Sequence, residues 1–403
     1  MKRRKFIKQS GLAASGLLFH SEILNLVSSA IPGRKINVGV IGCGDRGNGL
    51  IQVMKELHEN FSVVAGCDVL DFRIEETKKI VAGLPVKFYK DHRKLLDDKS
   101  VEAVIIAVPL YLHYSIAVDS LNAGKHVYLE KLMTYNSGQA LELMATAKKF
   151  SKQVLQIGHQ YRYTPLYFKV KDMIRQGWLG HVTQVDCRWD RNWNWRRPVP
   201  EGYTDRQINW RMYREYSGGL PAELLSHQID FINWAFETHP QEIFATGGID
   251  HYKDGRETFD NVQAVLRYKK KGMIGNFGAT CANEREGYVF KIKGTKGTVS
   301  LLIDEGIFYP EKRARKELEL VDGVSGATKI EWNKEGGIPI LKEKSKDGSW
   351  YALKEFYKII TEGGKPVSNA ITGATTTFCI DMINKSSYNH TIENWKKEFS
   401  VVG

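Results

Sequence analysis

Gly42, Gly44 and Gly47 form a G-x-G-x-x-G turn, and Asp68 follows the last glycine by 21 residues. An apolar, β-branched run (Ile36, Val38, Val40, Ile41) enters the turn. Helix-compatible residues (Leu50, Ile51, Met54) leave it, and a second strand-like run spans Phe61 to Ala65. In such a strand–turn–helix–strand unit the first glycine permits the tight turn. The second lets backbone N–H groups approach a pyrophosphate, and the third lets helix and strand pack closely. The unpaired N–H groups of the helix N-terminus face the anion. Asp68, ending the second strand, can accept hydrogen bonds from an adenosine ribose and would repel a 2′-phosphate. NAD is therefore favoured over NADP.

The elements that must position this site alternate β and α. A helix is predicted over Phe72–Val81, a strand near Val86–Phe88, a helix at His92–Leu96 and a fully apolar buried strand at Val101–Val108. A helix opening at His113, a strand at Ala123–Leu129, a helix over Ser137–Phe150 and a strand at Val154–Ile157 follow. Residues 31–157 thus read as a doubly wound parallel sheet. From Gly158 the texture changes. Helices are predicted at Pro165–Gln176, Glu223–Trp234, Ser349–Glu362 and Ala370–Asn389. Alternating segments at Val182–Trp189, Val262–Tyr268, Met273–Ala279, Tyr288–Ile292 and Thr298–Ile303 read as an open antiparallel sheet with one covered face. Residues 310–347 read as polar and loop-rich, so the fold class is α/β in two domains, 31–157 and 158–403.

Ligands of open parallel sheets bind beyond the carboxyl ends of the strands. Three strand ends carry useful groups: Pro109 to His113, Glu130-Lys131, and Gly158-His159-Gln160-Tyr161-Arg162. Candidate cofactor contacts are therefore Gly42, Gly44, Asp45, Arg46, Gly47 and Asp68 on the turn, with Pro109, His113, Glu130, Lys131 and Gln160 on the strand ends. Four of the nine tryptophans (Trp189, Trp193, Trp195, Trp210) crowd the stretch between Arg188 and Arg211, interleaved with arginines. Indoles stack on sugar rings and arginines bind hydroxyls or carboxylates. Tyr161, Arg162, Trp193, Trp195, Arg196 and Arg197 are the candidate substrate residues, and a carbohydrate the expected partner.

The segments 38–47, 101–109 with His113, 123–131, 158–162 and Gly218-Gly219…Glu223…His227…Asp230 together resemble the glucose–fructose oxidoreductase/inositol dehydrogenase (Gfo/Idh/MocA) family. The resemblance implies a Rossmann domain, a second α/β domain whose open sheet builds dimers or tetramers, and a catalytic group at Lys131, Glu223 and His227. Leu132 stands where the family has proline, and Glu223 where it has aspartate. At i and i+4 of one helix Glu223 and His227 share a face, so the acid could orient the imidazole or touch the substrate. His227, at an ordinary imidazole pKa, would act as general base on a secondary hydroxyl of a sugar or glycoside, with Lys131 stabilising the alkoxide. Two other readings stay open: an NAD-dependent glycosidase working by transient C3 oxidation and elimination, and a non-catalytic dinucleotide-binding protein.

The chain has 403 residues and a formal net charge of +12. Residues 1–30 hold five basic groups and one acid, leaving 53 basic against 45 acidic beyond them. That excess is modest and dispersed, including Lys269–Lys271 and the Lys312–Lys316 region, and no nucleic-acid motif accompanies it. Arg3-Arg4, the mild apolar stretch Gly11–Phe19 and small residues at Ser28 and Ala30 resemble a twin-arginine export signal, which predicts a periplasmic protein; a basic, frayed start on a cytoplasmic protein is the alternative. No apolar run is long enough to span a membrane. Five scattered cysteines form neither a disulfide framework nor a zinc pattern, and no metal is expected.

Overall fold

The computed structural model describes residues 34–314 and 332–400. The export-like leader and part of the Lys312–Lys316 region lie outside the described residues.

The first half alternates as the sequence predicts: β1 (Ile36–Ile41), α1 (Asp45–Glu56), β2 (Phe61–Cys67), α2 (Asp71–Ile80), β3 (Lys87–Tyr89), α3 (His92–Asp97), β4 (Ala103–Ile106), α4 (His113–Asn122), β5 (His126–Leu129), α5 (Ser137–Lys149) and β6 (Leu155–Ile157). All six strands are parallel, in the order β3-β2-β1-β4-β5-β6. The order reverses between β1 and β4, so a crevice opens above the carboxyl ends of those two strands, where the glycine turn sits. β4 is buried along its whole length, which a strand covered by helices on both faces requires.

The second half contains α6 (Pro165–Arg175), β7 (Val182–Trp189), α7 (Ser226–Phe236), β8 (Glu242–Gly248), β9 (Asn261–Tyr268), β10 (Met273–Thr280), β11 (Tyr288–Gly294), β12 (Gly297–Leu301), β13 (Gly306–Pro310), β14 (Ile338–Pro339), α8 (Gly348–Glu362), α9 (Ala370–Asn389) and β15 (Glu393–Asn394). Its nine strands form one sheet, β14-β13-β12-β11-β7-β10-β9-β8-β15, antiparallel except for β7 beside β10. The fold class read from the sequence therefore holds. Strands β8 and β13 have no alternation to betray them: Phe244 is apolar yet 46 % exposed, and β13 is apolar at both Ile307 and Phe308. The sheet's open face carries Phe244, Val265 and Ile274. Its other face packs on α7 and α9, and α9 also reaches α5 through Ser137 Oγ and Asp381.

One face of the parallel sheet is closed by a helix from the far end of the chain. Ala352, Leu353 and Phe356 of α8 join Ile36, Val38, Val40, Leu50, Ile51 and Tyr128 in one buried cluster. The Gln156 amide donates to Ala352 O (2.7 Å) across it. No described helix is long and apolar enough to cross a membrane.

Candidate active site

The glycine turn shows three different requirements. Gly42 has φ +96°, and a Cβ there would lie 2.4 Å from Ala107 O; at Gly47 it would lie 1.9 Å from Gly42 O. A Cβ on Gly44 would meet nothing, so the turn's outer side is open. Helix α1 starts at that glycine with no side-chain cap, unlike α3, α5 and α9, which are capped by Asp91, Asn136 and Asn369. Its first N–H groups are thus left for a ligand. An open cradle beneath an uncapped helix fits a dinucleotide pyrophosphate. Asp45 would repel that anion, but it is paired to Arg73 (3.1 Å) and to Arg197. Asp68 lies beside the turn, its carboxylate accepting from Cys43 N (2.8 Å) and Leu70 N (2.9 Å), while burial pushes its pKa up.

The strand ends form the floor. Arg46 turns away from the glycines and donates to Glu130 (2.7 Å) and Ser349 Oγ (3.0 Å). Pro109 opens a short turn before α4. The ring nitrogens of His113 lie 2.7 Å from Leu132 O and 3.0 Å from Val108 O, and burial lowers its pKa, so the one N–H of the neutral ring donates to one of these carbonyls and the side chain is wedged between two strand-end loops. Gln160 lies in a 3₁₀ turn and its Oε1 is buried without a partner. The Lys131–Leu132 peptide, where proline is absent, is cis. Lys131 Nζ donates to Glu223 O (2.8 Å) and Ala222 O (3.3 Å), and burial lowers its pKa. An ammonium has three donors, so one remains free.

The wall facing Lys131 comes from the second domain. The predicted helix over Glu223–Trp234 begins instead with a wider π-type turn, Pro221–Leu225, before α7. Two expectations are corrected here. Glu223 does not hold the imidazole: its carboxylate binds Arg211 Nε (3.1 Å), and His227 Nδ1 is buried without a hydrogen-bond partner. Nor does His227 keep an ordinary pKa. Burial first, then the positive charge of Lys131, pushes it well below 6.5, so the ring is a neutral imidazole at neutral pH. Around it stand Tyr161 (ring centroids 5.1 Å), Trp189 (5.6 Å) and His159 (6.3 Å). The Tyr161 ring is itself stacked on Tyr167 (ring centroids 4.5 Å).

Three arginines read from sequence as substrate-facing have other employment. Arg162 is 2 % exposed and grips Asp230 through Nε (2.7 Å) and an Nη (2.9 Å). Arg196 bonds Asp205 (2.6 Å) and Asp254 (3.3 Å), and Arg197 bonds Asp45 on the glycine turn. The loop carrying them is a strap across both domains, since Tyr203 accepts from Asp71 N (3.0 Å) and packs edge-on against Phe72. Trp193 is 49 % exposed, and Trp195 packs against the core. The sequence places Trp189 in the aromatic stretch but not among the candidate substrate residues, and Arg211 only marks that stretch's end. The available signals were a strand ending in tryptophan and a Trp-Arg pair just before Gly218-Gly219.

Residues 36–159 match the model described as "Oxidoreductase family, NAD-binding Rossmann fold", and residues 167–300 match the GFO/IDH/MocA C-terminal domain. The chain belongs to this oxidoreductase family. Within it the chain is 27 % identical over 198 residues to an inositol 2-dehydrogenase/D-chiro-inositol 3-dehydrogenase of Lactiplantibacillus plantarum, covering 49 % of this chain and 51 % of that one. It is 25 % identical over 294 residues to a levoglucosan dehydrogenase of Pseudarthrobacter phenanthrenivorans, covering 66 % and 73 %. The match thus spans about half the length of the first of these relatives. A levoglucosan dehydrogenase solved with NADH and levoglucosan shares the fold, with a TM-score of 0.71 at 20 % identity over 90 % of this chain and 99 % of that one. Among the described residues no group of three or more His, Cys, Asp or Glu side chains converges on a metal position.

Proposed function

We propose that this member of the family is an exported NAD-dependent dehydrogenase acting on a secondary hydroxyl of a sugar or glycoside. The observation that carries the reading is the bond from Lys131 Nζ to Glu223 O, which brings a Rossmann strand end to the turn that leads into His227. Gly44 and the N-terminus of α1 would hold the pyrophosphate, with Asp68 toward the adenosine ribose. Bound NAD supplies the acceptor for a hydride. The neutral imidazole of His227 takes the hydroxyl proton, and the free donor of Lys131 stabilises the developing alkoxide. Tyr161 and Trp189 shape an aromatic wall beside that carbon.

Purified protein would be assayed for NADH formation on a panel of polyols, sugars and glycosides, with the bound nucleotide identified by mass spectrometry. Release of an aglycone without NADH accumulation would replace this reading by the redox-neutral glycosidase. Bound nucleotide with no turnover would leave only a binding protein. Export rests on Arg3-Arg4 and the stretch after them. Replacing both arginines by lysine should trap the precursor in the cytoplasm, and unchanged periplasmic recovery would refute it. We further propose that a homodimer or homotetramer forms through the open sheet face that carries Phe244, Val265 and Ile274; light scattering of Phe244→Glu, expected to be monomeric, tests that.

A further inference from the structure

Five arginines occur between residues 190 and 212, and four have carboxylate partners. Arg196 has Asp205 and Asp254, Arg197 has Asp45, Arg206 has Glu215 and Glu257, and Arg211 has Glu223. Among the described residues Arg191 is the exception: its guanidinium lies against aromatic rings, and its Nε is buried without an acceptor. The adjacent Asp190 is turned to the backbone, accepting from Thr280 N (3.1 Å).

The guanidinium is nevertheless well placed. Its carbon lies 5.4 Å from the ring centre of Trp189 and 5.9 Å from that of Trp195. The backbone beneath it is pinned, with Arg191 N donating to Thr280 O (2.8 Å) and Asn192 bridging Ala282. Trp189 is also the indole that contacts His227, so the cation stands one ring away from the imidazole. A guanidinium beside two indole rings still presents paired N–H donors in its own plane, and these match the two oxygens of a carboxylate.

We infer that the substrate carries a carboxylate and that Arg191 binds it, so that the sugar presented to His227 is a sugar acid such as a uronate or its glycoside. The inference rests on the dehydrogenase reading of the same cleft and names its substrate class. The planar fork of Arg191 matches the two oxygens of a carboxylate in one plane, which a tetrahedral phosphate does not present as well.

The test is calorimetric titration of the NAD-saturated full-length protein with glucuronate, galacturonate, glucose, galactose and glucose 6-phosphate. Charge-assisted hydrogen bonds of this kind correspond to about 10- to 100-fold in affinity. The uronates should bind tighter than their neutral parents by that factor, and the preference should shrink as salt is raised. Arg191→Met should abolish the preference, Arg191→Lys should keep part of it, and NAD affinity should be unchanged in both. The salt dependence in the unmodified protein decides the matter if the variants fail to fold. Equal binding of acid and neutral sugars, preference for the sugar phosphate, or loss of NAD affinity in Arg191→Met would each overturn the inference. NADH formation from neutral sugars without a uronate preference defeats this inference alone. Tight uronate binding without NADH formation upholds Arg191 and defeats the dehydrogenase reading.

Discussion

The glycine turn at 42–47 and the strap at 190–212 both border the crevice, yet they are built on opposite principles. In the turn the backbone does the chemistry, and every requirement is met within a few residues: a positive φ at Gly42, a close approach at Gly47, an open side at Gly44. In the strap, side chains do the work and their partners are remote. Arg196 finds Asp254 58 residues away, and Arg197 finds Asp45 152 residues away. Spacing is therefore informative about backbone chemistry and nearly silent about which arginine is left over for a ligand.

The difference can be pushed experimentally. The largest effect belongs to the cleft wall, where His227→Ala should lower turnover by about 10²–10⁴-fold while NAD affinity, set by the turn, survives. Steady-state kinetics with a fluorescence titration of NADH would check both, and parallel loss of the two would dissolve the division of labour. Next is Asp230→Ala, which strands the buried Arg162 guanidinium and should cost about 3–5 kcal/mol in urea denaturation. Within the turn, Gly47→Ala should destabilise by about 1–3 kcal/mol, since its Cβ would strike backbone. Gly44→Ala should leave stability within about 0.5 kcal/mol but weaken NAD binding, because Gly44 already has an ordinary φ of −77° and faces open space.

Acid should act on the buried wall before the turn. Burial holds His159 down to about 4, whereas the unfolded side chain titrates near 6.5. Between those values the unfolded chain binds more protons, so stability falls as pH falls. His159 alone should contribute a loss of about 2 kcal/mol between pH 6.5 and 5, with His227 adding in the same direction. Denaturation midpoints across that range, compared with His159→Gln, would show a flatter profile in the variant. A small effect is expected in the strap: Arg197→Ala removes a partly exposed ion pair and should cost under about 1 kcal/mol in denaturant unfolding.

Much of the fold is legible because its signals are local. Val104, Ile105 and Ile106 announce a buried parallel strand, and Pro165 opens α6 where the sequence places a helix start. The π-type turn at Pro221–Leu225 is not legible, because helical spacing alone says Glu223 and His227 share a face. What diverts the carboxylate is Arg211, which only the folded chain brings near. His113 carries the same lesson. A histidine at a strand end looks like a ligand contact, and only the fold shows that its ring is buried between the carbonyls of Val108 and Leu132.

The packing of α8 against the parallel sheet bears on how the chain is made. Arg46 and Ser349, hydrogen-bonded in the finished protein, are separated by 303 residues. On a ribosome adding about 5–20 residues per second, strand β6 emerges on the order of 10–40 s before α8 exists. For that interval Val40, Ile105 and Tyr128 have the α1 side chains Leu50 and Ile51 beside them but lack the cover that Ala352, Leu353 and Phe356 later supply, and that part of the face is open to other chains. High sequence separation of this kind also slows folding once synthesis ends. A truncation before residue 348 therefore removes part of the amino-terminal domain's own core.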